Sequence, residues 1–252
     1  MRQLILSAFS VAMVCTATAQ IKEGTITYEK KMNLHRRLKD EQMKAMIPEF
    51  RTTKQELLFG DGTSVYKAVK EDEAPDPFAG GGAPGGPGGG GPQRMGPPPG
   101  MPGQNNILYI NFSNQKIVEQ AELGEQNYLI IDTVKTMAWK LTEETKVVLK
   151  YNCKKATLTN ARGQSIVAWY TEDIPVPAGP EMYNGLPGTI LLLDVNEGDI
   201  KFTAQEVSNK LSKKELKEPS KGKTTNRAEY NQKMMSMFNG GPGGPRVIRI
   251  GQ

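Results

Sequence analysis

The chain has 252 residues, of which 37% are hydrophobic and 23% are charged, and its formal net charge is +5. Acidic residues are interleaved with the basic ones, so this mild positive excess argues against a nucleic-acid partner. The 27 glycines and 17 prolines follow no three-residue period, which excludes collagen, and the composition also excludes a multi-span membrane protein.

The first 19 residues have the pattern of a secretory signal peptide. Arg2 precedes an apolar stretch, Leu4–Cys15, that is too short to span a bilayer stably, and Ala17–Ala19 supplies small residues for cleavage. Cys15 as a lipidated residue is the alternative, but a valine stands before it where a lipoprotein signal needs a small residue. We therefore expect an exported protein that is periplasmic, outer-membrane-associated or secreted, with no transmembrane span in the mature chain.

Cleavage after residue 19 would leave one β-rich domain, 20–252, with a net charge of +4 because Arg2 is lost from the +5 of the full chain. It would also leave a single cysteine, Cys153, so an intramolecular disulfide is impossible. In that setting a cysteine is usually a small buried apolar residue. We therefore expect Cys153 to be buried rather than reactive.

Short alternating runs separated by turn residues predict about ten β-strands. The predicted strands are 25–28, 56–59, 64–69, 107–112, 116–123, 127–132, 138–141, 146–149, 164–171, 190–195 and 200–207. Helical patterns are confined to Leu38–Met46, which ends before Pro48, and Thr224–Phe238, which ends at Asn239-Gly240. The sequence thus predicts a mainly β fold (β-rich α+β), with a curved antiparallel sheet or partial barrel and one or two helices.

The segment 75–103 is predicted to be a disordered Gly/Pro-rich loop. Of its 29 residues, 12 are glycine and 9 are proline, which disfavours helix, regular strand and packed core. Because it lies between the predicted strands 64–69 and 107–112, we interpret it as an elongated hairpin connection. A second, short Gly/Pro-rich segment spans 239–245.

No stretch of the sequence carries a convincing catalytic or metal-binding motif. Gly80–Gly85 fits a dinucleotide-binding pattern only inside the low-complexity tract, and Asp194–Asp199 departs from a calcium loop at its glycine and last acidic position. His35 is the only histidine, so the usual zinc spacings are absent. We therefore assign no catalytic, cofactor or metal residues and expect a non-enzymatic protein, with a Cys153 thiol enzyme as a weaker alternative.

The longest distinctive stretch is 168–191. It predicts a strand, a proline-stiffened crossing loop, a tight turn and another strand. Pro187 suits the first central position of a type II turn, and Gly188 suits the second, where φ is positive. We expect Trp169 and Tyr183 to pack over that turn.

This stretch resembles the GLPGLI family of exported proteins of Bacteroidetes-type bacteria, with Thr189 in place of the usual leucine. The resemblance covers roughly 25–238, apart from the Gly/Pro insertion. The residues that carry it are Trp139, Cys153, Lys155, Ala156, Trp169, Pro175, Gly179, Pro180, Gly185, Leu186, Pro187 and Gly188. The resemblance implies an exported, β-rich envelope protein, and no catalytic residue is carried over.

The expected function is that of a binding or accessory protein of the envelope. Its partner would be a lipid or other hydrophobic ligand, or an outer-membrane protein. The alternative is a periplasmic copper-handling protein that uses Cys153 and two methionine groups, Met43 with Met46 and Met234 with Met235 and Met237, because thioethers bind Cu(I).

Overall fold

The structure is a computed structural model and describes residues 20–69 and 106–239. The predicted signal peptide 1–19, the insertion 75–103 and residues 240–245 of the second Gly/Pro-rich segment lie outside the described residues.

Within the described ranges the chain forms twelve strands. They are β1 (Gly24–Asn33), β2 (Phe50–Gly60), β3 (Thr63–Ala68), β4 (Ile107–Asn111), β5 (Lys116–Leu123), β6 (Gln126–Thr133), β7 (Lys140–Val148), β8 (Tyr151–Thr159), β9 (Ser165–Thr171), β10 (Thr189–Val195), β11 (Ile200–Ser208) and β12 (Lys223–Thr225). Two α-helices, α1 (Glu41–Met46) and α2 (Arg227–Asn239), and a 3-10 turn at His35–Arg37 complete the described elements. No helix in these ranges is long and apolar enough to cross a bilayer.

All twelve strands belong to one sheet, in the order β12-β6-β5-β4-β3-β2-β1-β11-β10-β9-β8-β7. Each neighbouring pair is antiparallel except β12 with β6, which is parallel. The ends of this order, β12 and β7, do not pair with each other, so the sheet is open. The predicted β-rich fold with a curved antiparallel sheet is confirmed.

Three strand predictions differ from the structure. The sequence places Thr224 and Thr225 in the C-terminal helix, whereas they belong to β12 and α2 begins at Arg227. The segments 138–141 and 146–149 belong to one strand, β7, whose pairing with β8 shifts between Leu141 and Thr145. Strand β8 was not predicted, because its alternation is broken: Cys153 and Ala156, three positions apart, are both fully buried. An irregular strand of this kind carries no clean period of two.

The connection that contains the Gly/Pro insertion joins neighbouring strands, as predicted. Strand β3 pairs with β4 in an antiparallel register that places Lys67 opposite Ile107. The backbone N–H of Val69 also donates to the carbonyl of Lys54 at 3.1 Å. The ordered pairing therefore extends to the last described residue before the insertion.

The two faces of the sheet are covered by different segments. The inner face is the one to which Ile26, Tyr28 and Leu57 project, and it holds the main core. The crossing loop, residues 172–188 between β9 and β10, contributes Ile174 and Leu186 to this core. The opposite, outer face packs around Leu58, Val65, Tyr109 and Val118, against Leu211 and Leu216 of an outer strap, residues 209–222. Helix α2 covers the end of the sheet near β5 and β6, where Tyr230 joins Ala121, Leu123 and Ile130.

Candidate functional site

The crossing loop contains seven of the residues that carry the family resemblance. Gly179, Pro180, Leu186 and Gly188 are buried, whereas Pro175, Gly185 and Pro187 are exposed. The hydroxyl of Thr189 lies within hydrogen-bond distance of two loop carbonyl oxygens and can donate to either. The carbonyl of Val176 is 2.8 Å away and that of Ile174 is 3.2 Å away. The loop is thus fixed to the start of β10, and these residues supply architecture rather than reactive groups.

Gly188 corrects one prediction about the turn. Its φ is not positive; the loop glycine with positive φ is Gly185, at +87°. Gly188 is needed for another reason: a Cβ at this position would lie 1.9 Å from the carbonyl oxygen of Thr171. The close approach of two backbone segments, rather than left-handed geometry, requires glycine here.

The remaining motif residues lie on β8 and β9 and just before β7. The indole of Trp139 donates to the carbonyl of Asn184 at 2.9 Å, so Trp139 holds the crossing loop. The ring of Trp169 lies under the Lys146 ammonium at 5.5 Å. Lys155 pairs with Glu144 at 2.7 Å, and Ala156 is fully buried.

Cys153 is fully buried, as expected. Burial raises the pKa of its thiol from 9.0 to about 11, so the reactive thiolate is scarce near neutral pH. This environment opposes the thiol-enzyme alternative.

A polar group interrupts the apolar inner face. We call it the inner polar cluster, and it consists of Lys30, Tyr66, Asn106, Glu119, Glu181 and Arg227. Its residues come from β1, β3, the residue before β4, β5, the crossing loop and the first residue of α2. The cluster has two contact groups, Lys30 with Glu181 and Glu119 with Asn106 and Arg227. Tyr66 lies on β3, which stands between β1 and β5 in the sheet order.

Strand register explains the convergence of the sheet residues. Leu108 of β4 lies opposite Tyr66 of β3 on one side and Glu119 of β5 on the other. Directly opposed residues of antiparallel strands project to the same face, and adjacent strands are about 4.8 Å apart. Tyr66 and Glu119 therefore share the inner face, two strands apart.

Glu119 is the most enclosed carboxylate of the cluster. Its side chain is 14% exposed and pairs with the guanidinium of Arg227. Its other oxygen accepts from the side-chain amide of Asn106 at 2.7 Å. A carboxylate bound on both oxygens is held in one orientation, because each charge-assisted bond is directional.

Glu181 forms the second ion pair, on the crossing-loop side. Its carboxylate lies 2.5 Å from the Lys30 ammonium, which also lies 5.4 Å from the Phe202 ring centroid. Burial first, and the negative charge of Glu181 second, raise the pKa of the Tyr66 hydroxyl. Tyr66 is therefore a neutral phenol that can donate a hydrogen bond.

The cluster combines two carboxylates, two cations, an amide and a phenol. The charges balance, with Lys30 and Arg227 each paired to one carboxylate. Such a set can bind a polar organic ligand through several directional hydrogen bonds, and its carboxylates can take part in proton transfer. Among the described residues, no group of three or more His, Cys, Asp or Glu could hold a metal ion.

The methionines near the C-terminus do not converge on one point. Met234 packs against the core beneath α2, whereas Met235 and Met237 are 62% and 52% exposed. Met46 is 75% exposed. These exposures lend no support to the copper alternative.

Sequence reasoning missed all six cluster residues, although one signal was present. In β5, Glu119 falls in phase with Ile117, Ala121 and Leu123, which are buried. A charged residue at an inward position of an alternating strand is costly unless it is paired. The partners could not be identified, because Arg227 is 108 positions away in the sequence.

A separate cleft of about 370 Å³ lies at the opposite end of β3, by the β2–β3 turn. It is lined by Lys22, Glu23, Asp61, Gly62 and Pro175–Pro177. The side chains of Lys22, Glu23 and Asp61 are exposed, so their charges are solvated and the cleft is a weaker candidate than the inner polar cluster.

Comparison with known proteins gives one family and one fold relationship. The family model described as "N-glycanase peptide, N-terminal domain" matches residues 101–232, just over half of the chain. Two crystal structures of PNGF-II, in space groups C2 and P21, are similar with a TM-score of 0.57 each and identities of 16% and 17%. At such identities the likeness shows the fold alone. No curated protein matches the chain.

The chain spans about a third of the length of these solved structures. The aligned region covers 86% of this chain but only 33% and 34% of theirs. The relationship is compatible with the predicted exported envelope protein.

The expectation of a non-enzymatic protein is wrong, because the family that matches is a domain of N-glycanases, which are enzymes. The prediction rested on the absence of local catalytic motifs. In this fold, chemically competent groups such as Glu119 and Glu181 are assembled from segments far apart in the chain. The GLPGLI resemblance stays a prediction.

Proposed function

Because the chain belongs to the family of the N-glycanase peptide N-terminal domain, we propose that it acts in N-glycan processing and holds the glycan of N-glycosylated peptides at the inner polar cluster. The observation that carries this proposal is the set of polar residues, in two ion-paired groups and with Tyr66, on an otherwise apolar face. Enclosed polar groups in a protein are retained where they are satisfied or where they serve a ligand.

The chemistry of the cluster suits a sugar ligand. Sugar hydroxyls both donate and accept, and they match side chains that hold several oriented donors and acceptors. Glu119 and Glu181 can accept from hydroxyls, while Arg227 and Lys30 can donate to ring and hydroxyl oxygens. The ion pairs fix these groups before binding, which lowers the entropy lost when a ligand is held.

The two carboxylates also connect the site to the chemistry in the family's name. Hydrolytic release of an N-linked glycan breaks a carbon–nitrogen bond of the linkage: the oxygen of a water molecule bonds to the carbon and the nitrogen leaves with a proton. A carboxylate can take the proton from water and a carboxyl group can give one to the nitrogen. We propose Glu119 and Glu181 as the groups to test for this role. The chain spans about a third of the length of PNGF-II. We therefore propose glycan recognition as its main role, and glycan release as a second role to be tested.

We further propose export by the signal peptide 1–19 as the route to glycoprotein substrates. N-glycosylated proteins are typical of extracellular surroundings. An exported domain would meet them outside the cytoplasm. Membership of the GLPGLI family of envelope proteins, carried by the motif 185–190, remains a compatible proposal.

The test compares one peptide with and without its N-glycan. Isothermal titration with an N-glycosylated peptide should show binding that the deglycosylated peptide lacks, and mass spectrometry of the same mixture records any glycan release. Glu119→Gln should weaken binding about tenfold or more, because a charge-assisted bond is worth about 1.5–3 kcal/mol. The stability of each variant is measured alongside.

Glu218→Gln is the matched control. Glu218 forms an ion pair with Lys116, also on β5, but at an exposed position outside the cluster, with side chains 36% and 43% exposed. Its loss should leave glycopeptide affinity unchanged. Equal affinity for the glycosylated and deglycosylated peptides, without glycan release, would refute the proposed function.

A further inference from the structure

Two atoms of the inner polar cluster are buried without a hydrogen-bond partner. Tyr66 is 8% exposed, and its buried hydroxyl has no partner among the described residues. The same holds for the side-chain oxygen of Asn106. Buried polar atoms are normally paired, so two unpaired ones in the same cluster indicate a missing partner.

The strand register brings these residues close together. Tyr66 lies opposite Leu108, and Asn106 precedes Leu108 by two residues on the same face. Two residues along a strand cover about 7 Å and adjacent strands are about 4.8 Å apart, so the two Cα atoms are roughly 8–9 Å apart on one face.

The surroundings of each atom decide whether it would donate or accept a hydrogen bond. The Asn106 amide nitrogen donates to Glu119 at 2.7 Å, which fixes the side-chain oxygen as an acceptor that needs an external donor. Burial first, and the charge of Glu181 second, raise the pKa of the Tyr66 phenol, so it is neutral. Its hydroxyl has no partner among the described residues and can donate to an external acceptor.

We propose that Tyr66 and Asn106 form a recognition pair for an uncharged sugar group that offers both a hydrogen-bond donor and an acceptor. This inference rests on the proposed function and names the kind of glycan unit that the site selects. Two sources share the required chemistry. One is the acetamido group of an N-acetylated sugar, and the other is a pair of hydroxyls on a neutral hexose.

The charges around the pair argue against an acidic sugar. Lys30 and Arg227 are paired with Glu181 and Glu119, so the cluster has no excess positive charge to balance a third carboxylate. A sialylated unit would place like charges at close range, which is unfavourable at this partly buried site.

The test uses three defined probes. Diacetylchitobiose carries acetamido groups, cellobiose carries hydroxyls only, and sialyllactose carries a carboxylate. Wild-type protein should bind at least one neutral probe and should bind sialyllactose at least about tenfold more weakly. The stronger of the two neutral probes identifies the source of the recognised group.

Variants separate recognition from structural support. Tyr66→Phe should weaken binding of the neutral probe about five- to tenfold, the effect of one hydrogen bond, without lowering the thermal midpoint, because the removed hydroxyl has no partner in the free protein. Tyr28→Phe is the matched control: its hydroxyl donates to the Ile190 carbonyl at 2.5 Å, so it should lower the thermal midpoint and leave affinity unchanged. Asn106→Ala provides a second binding variant.

The outcomes distinguish this inference from the proposed function. If the glycopeptide binds but Tyr66→Phe and Asn106→Ala both keep wild-type affinity, the recognition pair is wrong and the proposed function stands. If sialyllactose binds as tightly as the neutral probes, the recognition pair is likewise wrong and the proposed function stands. If neither the glycopeptide nor any probe binds, both are wrong.

Discussion

The indole nitrogen of Trp139 donates a hydrogen bond to the backbone carbonyl of Asn184 at 2.9 Å, across 45 positions of sequence. Asn184 is only 3% exposed, and its own amide donates to the carbonyl of Met182 at 2.7 Å. This contact ties the segment before the edge strand β7 to the end of the crossing loop. The loop in turn presents Glu181 to the inner polar cluster, so Trp139 supports the candidate site from a distance.

Trp139→Phe should therefore destabilise the protein by about 1 kcal/mol, the usual net value of one hydrogen bond. The phenyl ring keeps most of the packing but has no donor. The measurement is the free energy of unfolding from denaturant titration. Trp169→Phe is the control, because Trp169 contacts the Lys146 ammonium through its ring face, which phenylalanine retains. Equal losses in the two variants would contradict the proposed role of Trp139.

Gly188→Ala should destabilise the protein by more than about 3 kcal/mol or prevent folding, because overlap with backbone atoms cannot be relieved by a side-chain rotation. The Cβ would lie 1.9 Å from the Thr171 carbonyl oxygen. Gly163→Ala is the comparison: Gly163 has φ of +76° and nothing within 4 Å of its added Cβ. The cost there is the strain of the left-handed conformation, about 1–2 kcal/mol. The measurement is the free energy of unfolding of each variant, or the yield of folded protein if Gly188→Ala does not fold. A loss for Gly188→Ala no larger than that for Gly163→Ala would contradict the prediction.

Cys153 should not react with Ellman's reagent at pH 8 in the native state and should react fully in guanidinium. Burial raises its pKa from 9.0 to about 11, so the folded protein retains the thiol proton that the unfolded chain loses. The stabilising contribution is complete below pH 9 and is lost as pH rises from 9 to 11. Cys153→Ala should therefore show a shallower fall of unfolding free energy over that interval. Rapid labelling of the native protein would argue against this environment.

Replacing residues 75–103 with a short turn should leave the fold intact, because β3 and β4 already pair as neighbours. Shortening a connection about fourfold reduces the entropy cost of closing it, by about 1 kcal/mol. The expected thermal midpoint is thus equal to or above that of the full chain. A 29-residue Gly/Ser replacement should restore the starting value. A marked drop in the midpoint with the short turn would show that residues 75–103 contribute to stability.

The sequence alone determined most of the secondary structure. Alternation identified most of the strands, and Gly60–Gly62 and Asn196–Asp199 marked the β2–β3 and β10–β11 turns. These are local properties: a period of two reflects one buried face, and positive φ at Asp61 or Asn196 reflects the turn itself. The irregular strand β8 was missed because its buried residues do not alternate.

Tertiary structure alone decided the candidate site and the reason for Gly188. Glu119 meets Arg227, and Lys30 meets Glu181, only because distant strands, a crossing loop and a helix pack on one face. Sequence separation of 108 and 151 positions leaves no local pattern to read. Likewise, Gly188 is required by the backbone of Thr171, a neighbour defined by the path of the loop. Local periodicity follows from each residue's own strand, whereas partner identity depends on how the whole sheet is assembled.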